Sequence, residues 1–414
     1  MSRGLLPLDE ARRQLLAGVS ALPGREVLPL AEALGRILAE VQVAALDMPS
    51  WDNSAMDGYA VRSADAGREL PEVARFAAGD APGRLDDDTV ARIFTGAPLP
   101  EGADAVVMQE DVDTDRGRVS LPAKINPGQH VRPRGQECRR GEPLLATGRR
   151  LRPQDIGLLA SQGVASVPVI PRLRVALLST GSELREPGTD LSPGAIYNSN
   201  RPMLLALLRS LGCSVRDCGN VEDDAQRTRA LLAEAADGAD LVLSSGGVSV
   251  GDADHVRAAV EELGALHLWR IAIKPGKPFS HGEIAGTPFI GLPGNPASAF
   301  VTFMLLARPW IERRQGRSDQ RPRLAARADF DHPRPGTREE YLRVRLRTEP
   351  DAGEAVRADA PADGVRLWAS LYPNQSSGIL RSVVGSDALA RIPVGRTVAR
   401  GDLLEVLPLD LYLS

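Results

Sequence analysis

The chain has 414 residues, of which 43% are hydrophobic, 25% charged and 4% aromatic, with a formal net charge of −4. That length predicts two to four domains rather than one. The slightly acidic balance argues against a general nucleic-acid binder, which would carry a basic face, and the lack of a run of about eighteen apolar residues leaves no expected membrane span.

Residues 8–18 and 30–38 (LDEARRQLLAG, LAEALGRIL) carry helical periodicity, and the N-terminus lacks the uninterrupted apolar stretch of a signal peptide. Over 46–146 short apolar runs broken by Gly, Pro and Asp predict an inserted β-rich domain. PQDIGLLASQG (153–163) returns to helix, so 1–45 and 147–171 are read together as a helical N-terminal and linker domain. From 172 to 317 apolar strands such as RVALLSTG, DLVLSSGG and PFIGLPG alternate with helices, which predicts a parallel, doubly wound α/β domain. Short alternating strands (EYLRVRLR, ALARIPV, LLEVLPL) make 318–414 a C-terminal β domain. The 40 Gly and 32 Pro are spread as turns, and Cys138, Cys213 and Cys218 form no CxxC pair. That cysteine usage fits a reducing cytoplasm, without a disulfide framework or a zinc site.

Ligands of doubly wound sheets sit at the carboxyl ends of the strands, and the Gly-rich turns fall there. In SSGGVSVGDADH (244–255) Gly246 and Gly247 allow close backbone approach, Ser245 and Ser249 add hydroxyls, and a helix N-terminus follows. A phosphate or pterin-like polar ligand suits such a cradle, although Asp252 and Asp254 read equally well as helix caps. The segment matches neither the dinucleotide fingerprint nor a Walker loop. Arg270, Lys274 and Lys277 surround a Pro-Gly turn and make an anion site, the alternative being a surface charge cluster. In GLPGNPASAF (291–300) Pro293 and Pro296 fix the backbone, Gly294 permits the bend and Asn295 caps or donates. Glu183, Asp223 and Asp254 close three strand-end loops, and carboxylates beside a phosphate surface suit Mg²⁺. Outside this region DNSAMDGYA (52–60), with Asp57, and TGAPLPEGADAVVMQED (95–111), beginning at Thr95, read as exposed turns.

Taken in order, DNSAMDGYA, TGAPLPEGADAVVMQE, STGSEL, NSN, SSGGVSVGDADH, KPGKPF and LPGNPAS resemble the molybdopterin molybdenumtransferase (MoeA) family, which includes the E domain of gephyrin. The resemblance covers about 46–300, and the flanks fit in length. It implies a four-domain, elongated homodimer in the cytoplasm with the active site between domains of opposite subunits. It also implies the reaction: adenylylated molybdopterin plus molybdate gives the molybdenum cofactor and AMP, with a divalent metal, usually Mg²⁺. By motif, Asp57 and Thr95 are the inserted domain's contribution to the cleft; Glu183, Asp223 and Asp254 are the acidic positions; Lys274, Pro293 and Pro296 match the family's lysine and loop prolines. Two positions depart: Glu137 stands where the family usually has Asp, and Arg270 where Lys is common. Mg²⁺ held by Glu183, Asp223 or Asp254 would bridge the pyrophosphate, while Lys274 and Arg270 would bind molybdate. The substrate's own dithiolene sulfurs would take the metal, so no protein cysteine is needed. Molybdopterin adenylyltransferase and Mo-enzyme maturation factors are the expected protein partners. The rival readings are an enzyme like the adenylyltransferase, which would need only the α/β region, and a gephyrin-like scaffold, which generally rides on extra domains.

Overall fold

In the computed structural model, which describes residues 4–221, 224–246, 255–318, 323–348 and 367–413, Leu8–Leu16 forms α1. Leu8, Ala11 and Leu15 lie buried along one stripe, and Asp9 and Glu10 in the first turn favour the positive helix end. The second expected helix is absent: 30–38 holds only a 3₁₀ turn, Leu30–Glu32. Gly35 takes φ +72°, and Ile37 and Leu38 bridge to Arg150 and Val169 instead. Tertiary pairing overrides a helical pattern that Gly35 already weakens.

Glu26–Pro29 pairs antiparallel with Ser166–Val169, so distant parts of the chain meet beside α2 (Pro153–Ser161). Asp155, buried in the first turn of α2, takes hydrogen bonds from the side chains of Arg149 and Arg152 and from the Arg152 N–H. Burial works to raise its pKa, but these donors outweigh burial and bring it down to about 2. A carboxyl with a depressed folded pKa stabilises the fold above its unfolded pKa near 3.8, and that stability is lost as pH falls through about 2. Asp155→Asn is therefore expected to cost about 2 kcal/mol in urea unfolding at pH 7. The difference from the native chain should shrink steadily below pH 4; a gap unchanged at pH 2.5 would sink this account.

Between these segments runs a six-stranded sheet built from β1 (Gly58–Val61), β2 (Glu69–Phe76), β3 (Val90–Ile93), β4 (Ala105–Met108), β5 (Asp113–Asp115) and β6 (Arg118–Ser120). Its order is β4-β1-β3-β2-β6-β5. Two small cores flank it, one around Tyr59, Val61, Val107 and Val119, the other around Ala60, Ala91, Ile93 and Val106. Successive residues of β1 thus serve opposite faces.

The α/β region follows as β7 (Arg174–Thr180), α3 (Asn200–Ser210), β8 (Ser214–Val221), α4 (Ala225–Ala236), β9 (Leu241–Ser245), α5 (His255–Leu263), β10 (Gly264–Arg270), β11 (Pro278–Ile284) and β12 (Thr287–Leu292). A continuous helical rod then spans Pro296–Thr302, a π turn at Phe303–Ala307, and Arg308–Arg314. The sheet order is β8-β7-β9-β12-β11-β10. Side chains alternate strictly between its faces. Val175, Leu177, Leu241, Leu243, Ile290 and Leu292 pack with α1, α3 and the rod, whereas Ala176, Leu178, Val242 and Phe289 pack with α4 and α5.

The expected parallel sheet is only partly realised. The sheet is not wholly parallel, because β11 runs antiparallel to both β10 and β12. Pro, Gly, Ser and His make this segment look like a loop, yet Phe279 and Ile284 are 1% and 0% exposed. Burial of two large side chains, worth roughly 1.5–3 kcal/mol each, outweighs the weak local strand preference.

The C-terminal strands, β13 (Leu324–Ala328), β14 (Glu339–Thr348), β15 (Leu367–Leu371), β16 (Ala388–Ile392) and β17 (Leu403–Pro408), run β14-β15-β13-β17-β16. Pairing of β16 with β14 closes the ring into a small barrel with an alanine- and valine-lined interior. Ile273–Lys274 adds a parallel strand on β14, with Lys274 opposite Glu340. Tyr341, Val383, Leu389 and Leu409 join the central core, so the barrel is seated on the α/β region by apolar burial.

Candidate functional site

A cleft of about 1130 Å³ opens at the carboxyl ends of β7, β8, β9, β10 and β12. Five strands pointing one way deliver their loops to one edge, and reversal of β11 brings its start, Lys277 and Pro278, to the same edge. The volume exceeds the ~300–1,000 Å³ usual for a small-molecule pocket and suits a large ligand.

Most of the expected wall is present. Ser245 and Gly246 line it at the end of β9, and Pro293, Gly294, Asn295 and Pro296 line it at the end of β12. Gly246 sits at φ +87°, and a Cβ there would stand 2.6 Å from the Thr180 carbonyl oxygen. Only glycine fits both the backbone conformation and the close approach of β7. Its N–H donates to the Leu292 carbonyl at 3.1 Å, which ties the two Gly-rich strand ends together. Arg270 and Lys277 supply positive charge at the cleft, and Glu183 is its acid among the described residues.

Other expected residues lie elsewhere. Lys274 is off the cleft wall: its ammonium is 3.1 Å from Glu340, which is 6% exposed and belongs to the barrel. The parallel pairing of Ile273–Lys274 with β14 turns this lysine toward the C-terminal domain. Asp57 and Thr95 meet each other, not Glu183. The Thr95 N–H and hydroxyl both donate to Asp57 Oδ1 at 2.8 Å. Those two donors, with Arg92 nearby, hold the Asp57 carboxyl below the usual carboxylate range. Neither residue lines this chain's cleft, and nor does Glu137, which is exposed where its N–H donates to the Met48 carbonyl. Asp223, Gly247, Ser249 and Asp254 lie outside the described residues, although Val221 and His255, close to them in sequence, line the cleft.

The structure adds residues that the sequence pattern left unassigned. Asn200, at the start of α3, is 9% exposed and donates through Nδ2 to Ser245 Oγ at 2.9 Å and to the Gly294 carbonyl at 2.7 Å. It clamps both Gly-rich loops at once. Asn198 Oδ1 accepts from the Arg201 N–H at 3.1 Å and so satisfies a backbone donor in the first turn of α3. Asn200 Oδ1 and Asn198 Nδ2 are buried without a protein partner, and both residues line the cleft. Buried polar atoms normally find partners, so this wall has the chemistry to receive a hydrogen-bonding ligand. Trp269 and, from the C-terminal region, Gly378 complete the lining. Three consecutive polar residues before a helix, NSN, were the only available sequence signal for this amide cluster. Asn200→Ala is expected to lower turnover at least about tenfold through the loss of two buried hydrogen bonds worth ~1 kcal/mol each. Thermal stability should fall modestly; an unchanged rate would remove Asn200 from the site.

Among the described residues no helix is long and apolar enough to cross a membrane, and no group of three or more His, Cys, Asp or Glu side chains could hold a metal.

Comparison with known proteins agrees with this architecture along the chain. Residues 6–163 match the MoeA N-terminal region (domain I and II), 176–313 match the family described as "Probable molybdopterin binding domain", and 325–409 match the MoeA C-terminal region (domain IV). The chain is 43% identical over 316 residues to the molybdopterin molybdenumtransferase of Haemophilus influenzae, covering 75% of this chain and 78% of the relative. It is 36% identical to the enzyme of that name from Synechococcus elongatus, covering 97% and 99%. A solved molybdopterin biosynthesis MoeA protein from Pyrococcus horikoshii superposes with a TM-score of 0.81 at 29% identity, covering 97% and 99%. A cleft of this form at the strand ends of the central region, flanked by both MoeA terminal regions, places the chain in the molybdopterin molybdenumtransferase (MoeA) family of molybdenum cofactor biosynthesis.

Proposed function

We propose that the chain inserts molybdenum into adenylylated molybdopterin, consuming molybdate and releasing AMP. The carrying observation is the large cleft whose wall combines two cations with buried, unpartnered amide groups. Arg270 and Lys277 supply charge for the pyrophosphate and for the tetrahedral molybdate dianion. Asn198 and Asn200 present the donor and acceptor that a pterin ring requires, and Ser245 adds a hydroxyl. Gly246 and Gly294 let the ligand lie against backbone. Placement of Lys274 on Glu340 moves molybdate binding toward Arg270 and Lys277, leaving Lys274 to hold the barrel against the cleft region.

Mg²⁺ suits the Glu183 carboxylate at the cleft, a hard oxygen donor. Bound there with Asp223 and Asp254, it would neutralise charge on the pyrophosphate. Asp57, kept ionised by Thr95, belongs on this reading to a composite cleft formed with a second copy of the chain.

The direct test mixes purified protein with adenylylated molybdopterin and molybdate and measures AMP and molybdenum-loaded product. Equal amounts of both are expected, with AMP release stopped by EDTA and restored by Mg²⁺. Absence of AMP release under those conditions overturns the proposal, and formation of adenylylated molybdopterin from ATP instead would favour the adenylyltransferase reading. Binding without turnover would favour a scaffold.

A further inference from the structure

We propose that His267 and His281 form a second metal site, separate from the cleft carboxylates, for a first-row divalent transition ion of the Ni²⁺, Cu²⁺ or Zn²⁺ class. The two residues are directly opposite one another in the antiparallel pairing of β10 with β11, so their side chains leave the same face of the sheet. Their ring centroids are 5.0 Å apart with planes inclined at 35°. A metal about 2.0–2.1 Å from each ring nitrogen lies roughly 3.2 Å from each ring centre, and a near-tetrahedral angle then separates the centres by about 5 Å. The spacing therefore already matches two imidazoles on one ion.

Three further observations point the same way. His281 Nε2 is buried without a partner, an arrangement that costs free energy and that a metal would relieve. His267 is exposed, which leaves an approach from solvent. Glu283 follows on the same face two residues beyond His281, which puts a carboxylate-bearing residue on the side of the sheet that carries the pair. Imidazole nitrogen favours Ni²⁺, Cu²⁺ and Zn²⁺ over Mg²⁺, so this site and the proposed cleft ion select different metals. Because the described residues provide no third ligand, the remaining positions are left to water or a small anion.

Trp269 provides a built-in reporter, since its ring centroid is 4.0 Å from that of His281 and the residue also lines the cleft. The test titrates Ni²⁺ into the full chain, stripped of transition metals and held in excess Mg²⁺ to fill the cleft carboxylates, at neutral pH, followed by calorimetry and tryptophan emission. One equivalent should bind and quench emission, and Trp269→Phe should remove the quenching while one equivalent still binds. His267→Asn and His281→Asn should each weaken binding at least about tenfold, since loss of even an outer-shell partner costs ~10–100-fold. His267 is exposed, so His267→Asn should leave the metal-free melting temperature unchanged and keeps the test valid if His281→Asn folds poorly. Unaltered affinity in His267→Asn, or a native affinity no greater than that of the double variant, overturns the proposal.

Discussion

Co-expression of an Asp57→Ala chain with a Glu183→Ala chain, each without AMP release alone, is expected to restore about one quarter of the native rate. The reason lies in where the structure puts the two carboxylates. Glu183 lines the cleft, whereas Asp57, just before β1, meets Thr95, just after β3, beside the six-stranded sheet and does not line it. If Asp57 serves a cleft, it serves that of a second copy. If the chains pair as proposed, random assortment makes half of the dimers mixed, and each mixed dimer then carries one composite site with both substitutions and one with neither. The measurement is AMP release by co-purified chains bearing different tags. No recovery, with both variants folded and dimeric, would place Asp57 and Glu183 in one chain's site, and AMP release by the Asp57→Ala chain alone would remove Asp57 from catalysis.

Replacement of Gly58 should produce the largest loss of stability in the inserted sheet. A Cβ at this position would lie 1.9 Å from the Val107 carbonyl oxygen and 2.8 Å from its carbon. Gly58 is flanked on both sides, paired with Ile93 of β3 and Met108 of β4, so neither neighbour can give way without breaking a ladder. Gly58→Ala is thus expected to cost about 3 kcal/mol or more, beyond ordinary overpacking. Hydrogen exchange should show β1, β3 and β4 losing protection, while the barrel and the α/β sheet, which have separate cores, keep theirs. A shift below 1 kcal/mol would show that the strands separate without penalty. The consequence reaches the site, because Asp57 precedes Gly58 and its partner Thr95 follows β3. The glycine of DNSAMDGYA is then required for close strand packing that holds the carboxylate in place.

What could be read from sequence followed physical directness. Apolar runs alternating with amphipathic segments named the strands and helices of the α/β region, because period-two and period-3.6 patterns reflect burial on fixed faces. Gly-rich strand ends located the cleft wall, because only glycine permits Gly246 to meet Thr180. The 30–38 helix failed where pairing with Arg150 and Val169 outweighed periodicity, and β11 was missed because its stability comes from neighbours on either side.

By itself, then, the sequence determined the family, the order of domain types and, at the two Gly-rich strand ends, the described cleft residues Ser245, Gly246 and Pro293 to Pro296. Each of these is recorded in contiguous motifs or local periodicity. Tertiary structure alone decided that Lys274 faces Glu340, that Asn200 clamps Ser245 to Gly294, that Asp57 stands with Thr95 away from Glu183, and that His267 meets His281. Those outcomes depend on strand register and on contacts between residues far apart in the chain, where a shift of one residue turns a side chain to the opposite face.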